Sequence, residues 1–188
     1  GKTLVKLGLA DEARKTFIQI QSLTKDKNLQ AESLIYLGDL SADDQDYPAA
    51  ADHYSKAAAL ASDGHLKQHA TFKAAYCYFK TNDYRSAEIY FEALNKTDLE
   101  FSDRFDVLLM KARSLKLDSQ YDKALALLDD MISDLRYKTY FIRAEFEIAD
   151  DLRLKGKGFE TMDQFNYVIS NYNNANFNDD AYYFLGVM

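Results

Sequence analysis

Apolar positions recur along this chain every three or four residues, interrupted at short intervals by clusters of Asp, Asn, Ser, Gly and Lys. That alternation is the mark of amphipathic helices joined by tight turns. The spacing predicts helices near 9–23, 28–42, 47–61, 65–80, 84–96, 102–117, 121–136, 138–155, 158–172 and 177–188. Breaks inside the helical hairpins fall at Asp43-Asp44-Gln45-Asp46, Thr81-Asn82-Asp83, Asp118-Ser119 and Lys155-Gly156-Lys157-Gly158. Such residues cap helices or reverse the chain. Pro48 comes just after Asp46-Tyr47, in the first turn of a predicted helix, where a missing N–H does no harm.

The pattern repeats with a period of 37 residues. Gly1, Gly38, Ala75, Ala112, Ala149 and Gly186 form a column of small residues. Ala13, Ala50, Ala87, Ala124 and Thr161 form a second, each followed four residues later by a large residue: Phe17, Tyr54, Phe91, Leu128 and Phe165. Ile20, Ala57, Leu94, Met131 and Val168 lie on the same helical face, and Tyr47, Tyr84 and Tyr121 begin the second helix of three units. Where two helices cross closely, a side chain larger than a methyl holds the backbones apart. Gly or Ala must therefore stand at the crossing, with a large neighbour filling the adjacent groove.

Composition narrows the class further. A hydrophobic share of 47% is enough for a continuous core, and one Pro with seven Gly suits helices better than a turn-rich β fold. The net charge of −7 argues against nucleic acid as a partner, since phosphate binding needs a basic surface. A single cysteine, Cys77, excludes an internal disulfide framework. No apolar run approaches the roughly 20 residues of a membrane span.

Leu37-Gly38, Leu185-Gly186, Ala50-x-x-x-Tyr54 and Ala87-x-x-x-Phe91 resemble the tetratricopeptide repeat, a resemblance that covers the whole chain. The period of 37 is longer than the family's usual 34, and the signature Trp and closing Pro are absent. The resemblance implies an all-α fold, a right-handed α-solenoid of stacked antiparallel helical hairpins of bacterial type. It divides residues 1–188 into a single array: 1–27 in part, 28–64, 65–101, 102–138, 139–175, and 176–188 in part. The array is expected to be a fragment of a longer chain, with apolar ends that self-associate. Its fifth unit, with Gly158 and Thr161 in place of Tyr and Ala, is expected to pack more loosely.

In such repeats the first helices line a concave surface that holds a peptide or helix. Carried over, the pattern assigns to that surface Glu32, Ile35, Asp39 and Asp43, then His69, Phe72, Tyr76, Phe79 and Lys80. It adds Asp106, Leu109, Arg113 and Lys116, then Arg143, Phe146, Asp150 and Arg153. The implied groove has an acidic end, an aromatic middle and an end rich in Arg and Lys, with Tyr76 and Arg113 as preferred anchors. The same aromatics have an alternative role, since rings at helical spacing commonly pack between neighbouring helices. The Lys and Asn clamp by which some family members hold a chaperone's C-terminal carboxylate is not implied, because Ile35, Asp39, Phe72 and Tyr76 stand at its core places.

Catalytic and metal chemistry has no comparable signal. His65 and His69 are four apart on one helix near Asp63, but two ligands do not make a zinc site. Asp43, Asp44 and Asp46 lack the Gly and terminal Glu of a calcium loop. Gly156-Lys157-Gly158 lacks the spacing of a phosphate loop, and Asn95-Lys96-Thr97 fits a glycosylation acceptor only in a secreted eukaryotic chain.

These observations lead to a protein- or peptide-binding scaffold that is not an enzyme and uses no cofactor or metal. The alternatives are a structural or oligomerisation scaffold in a larger assembly, or a regulatory domain of an enzyme. The region after Thr161, with Phe165, Tyr172 and Asp180-Ala181-Tyr182, resembles repeat proteins of the bacterial envelope, which implies the periplasm. The register itself is open to test. Overpacking the second small column with Ala87→Leu should lower stability by about 1–3 kcal/mol, whereas Lys123→Glu should change it by less than about 0.5 kcal/mol. Equal shifts of the two urea midpoints would refute the repeat alignment.

Overall fold

The computed structural model describes residues 1–2, 9–95, 97, 101–134, 141–172 and 175–187. Two compact units divide the chain, Gly1–Asp98 and Leu99–Met188. Unit 1 holds α1 (Ala10–Leu23), α2 (Lys27–Asp43), α3 (Tyr47–Leu60), α4 (Gly64–Lys80) and α5 (Tyr84–Asn95). Unit 2 holds α6 (Phe101–Leu117), α7 (Tyr121–Ser133), α8 (Phe141–Leu154), α9 (Gly158–Asn171) and α10 (Ala175–Val187). No strand occurs among the described residues.

Within each unit every helix packs on its neighbours in sequence, and alternate helices also meet: α2 with α4 in unit 1, α6 with α8 and α8 with α10 in unit 2. This is the pattern of stacked hairpins, in which the first helices form one layer. Observed and expected ends agree within a few residues, and the differences have local causes. Asp26 accepts hydrogen bonds from the Asn28 and Leu29 N–H groups, and Asp63 accepts one from Leu66, which starts α2 and α4 a residue early. Asp134 is extended, so α7 stops at Ser133. The expected extensions over 135–136 and 138–140, like Lys96 of the glycosylation triplet and Met188, lie outside the described residues. Pro48 sits in the first turn of α3 behind the Asp46 cap, as its chemistry requires.

The small columns are the contact points of the hairpins. Gly38, Ala75, Ala112 and Ala149 are all buried, as are Ala13, Ala50, Ala87, Ala124 and Thr161. At Gly38 the reason is visible in atomic detail, because a Cβ there would lie 2.5 Å from the Tyr54 ring. Gly1 stands in the same relation to Phe17, again at 2.5 Å. The Phe17 ring in turn stacks on Tyr36, with centroids 4.9 Å apart. Gly186, the last member of the column, has no atom within 4 Å of its Cβ position.

The last complete hairpin is not loose at these positions, contrary to expectation. Thr161, Phe165 and Val168 are fully buried, and the Thr161 hydroxyl donates to the Lys157 carbonyl at 2.7 Å, so the extra oxygen is satisfied. Phe165 stacks on Phe184 at 5.5 Å and meets Phe146 edge-on at the same distance.

The turns inside the hairpins carry a further column. Gln45, Asn82, Ser119 and Gly156, each 37 residues after the last, hold positive φ values of 61°, 62°, 61° and 74°. Each closes its helix in the same way: Gln45 N–H donates to Ala42 O and Asp46 N–H to Ser41 O, both at 2.9 Å, with the same pair at the other three turns. This double bond across a left-handed residue satisfies carbonyls that the helix end would leave open. Two of the four positions, Gln45 and Ser119, hold a residue that resists this conformation. Ser119→Gly is therefore expected to raise stability by about 0.5–1 kcal/mol, and Gly156→Ala to lower it by about 1 kcal/mol. Urea midpoints that shift in the opposite directions would show that the turns do not need the left-handed residue.

Candidate functional site

In unit 1 the face built by α2 and α4 is open. A cavity of about 460 Å³ is lined by Ala42, Tyr47, Tyr54, His69, Phe72, Lys73, Tyr76 and Cys77. Its floor is the buried Tyr54 ring and Cys77, while Phe72 and Tyr76 stand at the surface, 39% and 40% exposed. Phe72 meets the buried Phe91 edge-on at 6.4 Å, and the Lys80 ammonium lies 5.3 Å from the centre of the Tyr76 ring. Helical spacing on α4 thus places two rings side by side, one propped from below and the other covered by a cation.

Asp39 organises the polar side of this cavity. It accepts from the Tyr54 hydroxyl at 2.7 Å and from the Lys73 ammonium at 2.6 Å, and Lys73 also lies over the Tyr54 ring. Burial, with the bond to Asp39, pushes the Tyr54 phenol well above its ordinary range, so it stays a neutral donor. A smaller recess of about 130 Å³ adjoins it, lined by Glu32, Ile35, Tyr36, Asp39, Leu66 and His69. Desolvation, helped by Lys73, lowers the His69 pKa and favours the neutral imidazole. Glu32 is held by Lys2 at 2.6 Å.

Of the residues expected on this face, Glu32, Ile35, Asp39, His69, Phe72 and Tyr76 line one recess or the other. Phe79 packs edge-on against Tyr84 of α5 at 5.7 Å, outside both linings. Tyr47, Tyr54 and Lys73 line the cavity without having been expected there. The tyrosines belong to the second helix, which the first-helix pattern leaves out, and Lys73 announces itself only through its charge opposite Asp39, 34 positions away.

Unit 2 presents a different first-helix face. Leu109, expected to line it, instead faces the neighbouring helices and is fully buried in a cluster with Phe105 and Leu128. Phe146 lies within the ring cluster of Phe165 and Phe184. The cations that promised a basic end are matched by carboxylates. Arg113 binds Glu147 at 2.6 Å, Arg143 binds Asp106 at 2.6 Å, and Arg153 binds Asp150 at 2.7 Å. Lys116 meets Glu147 at 2.5 Å and Asp150 at 3.0 Å. Burial opposes the Lys116 charge, but Glu147 and Asp150 outweigh it and hold its pKa above the usual lysine range. The preferred anchor Arg113 is thus committed to its own chain.

No group of three or more His, Cys, Asp or Glu is placed to hold a metal among the described residues, and none of their helices is long and apolar enough to cross a membrane.

No family profile matches the sequence, and no curated protein matches it. Solved structures do. The TPR-like repeats of a Podosopora anserina protein assigned to the kinesin light chains superpose with a TM-score of 0.71 at 16% identity, covering 90% of both chains. A single-residue variant of that protein gives a TM-score of 0.68 at 17% identity, covering 90% of this chain and 89% of the other. The fold is TPR-like. At this level of identity the likeness is one of architecture.

Cys77, on the cavity floor, reports whether the TPR-like packing is as closed as described. Burial pushes its thiol pKa up to about 11, so alkylation at pH 7.5 should be slow and should track unfolding. Modification of the native protein at the rate of a free thiol would show the floor to be open.

Proposed function

We propose that this chain is a non-catalytic scaffold that binds a protein or peptide, and that the cavity between α2, α3 and α4 receives an apolar side chain of the partner. TPR-like repeats are a scaffold used in protein–protein interaction, which supports the class. The observation that carries the site is the cavity itself. Its 460 Å³ falls within the roughly 300–1,000 Å³ typical of ligand pockets, and it combines a buried apolar floor with a few fixed polar groups. Phe72 and Tyr76 are aromatic surface residues of the type that dominates binding energy, and both are held in place by neighbours, so little freedom is lost on contact. The matched charges of unit 2 make its first-helix face a weaker candidate.

A second reading rests on a separate observation. Phe159 on α9 and Tyr182 and Tyr183 on α10 are 85%, 60% and 67% exposed, large apolar side chains open to contact with another chain. In that case the groove has no role.

Peptides selected from a random displayed library against the unaltered protein distinguish the two readings. Their affinity should fall at least tenfold in Phe72→Ala/Tyr76→Ala, with helicity and melting unchanged, and should persist in Arg113→Ala. Peptides that bind the double variant equally well would exclude the cavity as the site. If Phe159→Ser/Tyr182→Ser alone alters the assembly state while no peptide is selected, the assembly reading takes its place.

A further inference from the structure

The contact between α6 and α8 contains a buried carboxyl group without a hydrogen-bond partner, unrelated to the cavity of unit 1. Lys116, with a side chain only 10% exposed, faces three carboxylates on α8: Glu147 at 2.5 Å, Asp150 at 3.0 Å and Asp151 at 3.7 Å. Glu147 has a second cation in Arg113, and Asp150 has one in Arg153. Asp151 has neither. It is 1% exposed, and neither of its oxygens has a hydrogen-bond partner.

Charged groups on the other helices packed against α8 are engaged elsewhere or face solvent. Asp122 of α7 is held by Lys155, and Asp129 and Asp130 are exposed. Glu160 of α9 pairs with Lys157, while Asp163 of α9 and Asp179 and Asp180 of α10 are exposed. An ionised carboxylate at this depth would have one shared ammonium at a distance too long for a hydrogen bond, beside two carboxylates that already share that ammonium. Neutralisation by a proton is the cheaper state.

We propose that Asp151 is a proton-binding position buried at the α6–α8 contact, and that its ionisation destabilises the fold. With its proton it sits neutral beside Lys116; without it, an unbonded charge is left in the interior beside Glu147 and Asp150 of the same helix, and the attraction of Lys116 at 3.7 Å does not make up the lost solvation. Burial raises the Asp151 pKa to about 7, with Glu147 and Asp150 adding to the effect and Lys116 opposing it. The unfolded chain releases the same proton near the ordinary carboxylate value of about 4. The stabilisation is therefore full below pH 4 and is lost as the pH climbs to about 7.

Urea unfolding of the whole chain, followed from pH 5 to 8.5 beside Asp151→Asn, tests the position. The unfolding constant of the unaltered protein relative to the variant should rise roughly tenfold per pH unit up to neutrality and level off above it. A ratio independent of pH would overturn the proposal. The carboxyl ¹³C shift of Asp151 in the unaltered protein gives an independent answer should the variant fail to fold. A titration midpoint above pH 6 is expected, and one below pH 6 overturns the assignment.

Discussion

The contact of an aromatic ring with a glycine governs the architecture of unit 1. Tyr54 lies where a Gly38 Cβ would be, so the two helices of the hairpin approach more closely than any side chain at that point would allow. The same ring carries the hydroxyl that binds Asp39 and forms the floor of the cavity. One residue thus fixes the spacing of α2 and α3, buries apolar area and orients the carboxylate that holds Lys73 on α4. Structure and candidate function share a single contact.

Across the layer of first helices, ion pairs join positions about one repeat apart. Lys73 with Asp39, Arg113 with Glu147, Lys116 with Asp150 and Arg143 with Asp106 are separated by 34 to 37 residues. These pairs separate the two units in character. In unit 1 a half-exposed pair of rings remains beside the bridge, whereas in unit 2 the bridges consume the cations that would have contacted a partner. Partly exposed pairs of this kind add little stability individually, so their main effect is on which face remains free to bind.

The columns of small and large residues were legible in the sequence because close helix crossings tolerate so few side chains. Gly38 and Ala75 stand for a constraint of size, and size is written in residue type. Leu109 and Arg113 show where this ends. Both occupy first-helix positions that resemble the lining pattern, yet one turns into the core and the other is captured by Glu147 on the next repeat. Whether a side chain is free depends on what stands opposite it, which a periodic pattern of single positions does not record. The positive φ of Gln45 and Ser119 was hidden for a related reason. Gly156 and Asn82 are of types that favour that conformation, whereas Gln45 and Ser119 adopt it because two backbone hydrogen bonds close over them.

The helices of each unit pack on their near neighbours in sequence, and each hairpin closes through a three-residue turn. Such low contact order means that little chain entropy must be surrendered before the first native contact is rewarded. Any hairpin can nucleate folding and recruit the next by zipping. A lesion in one turn is accordingly felt by the adjoining repeat long before it reaches the rest of its unit.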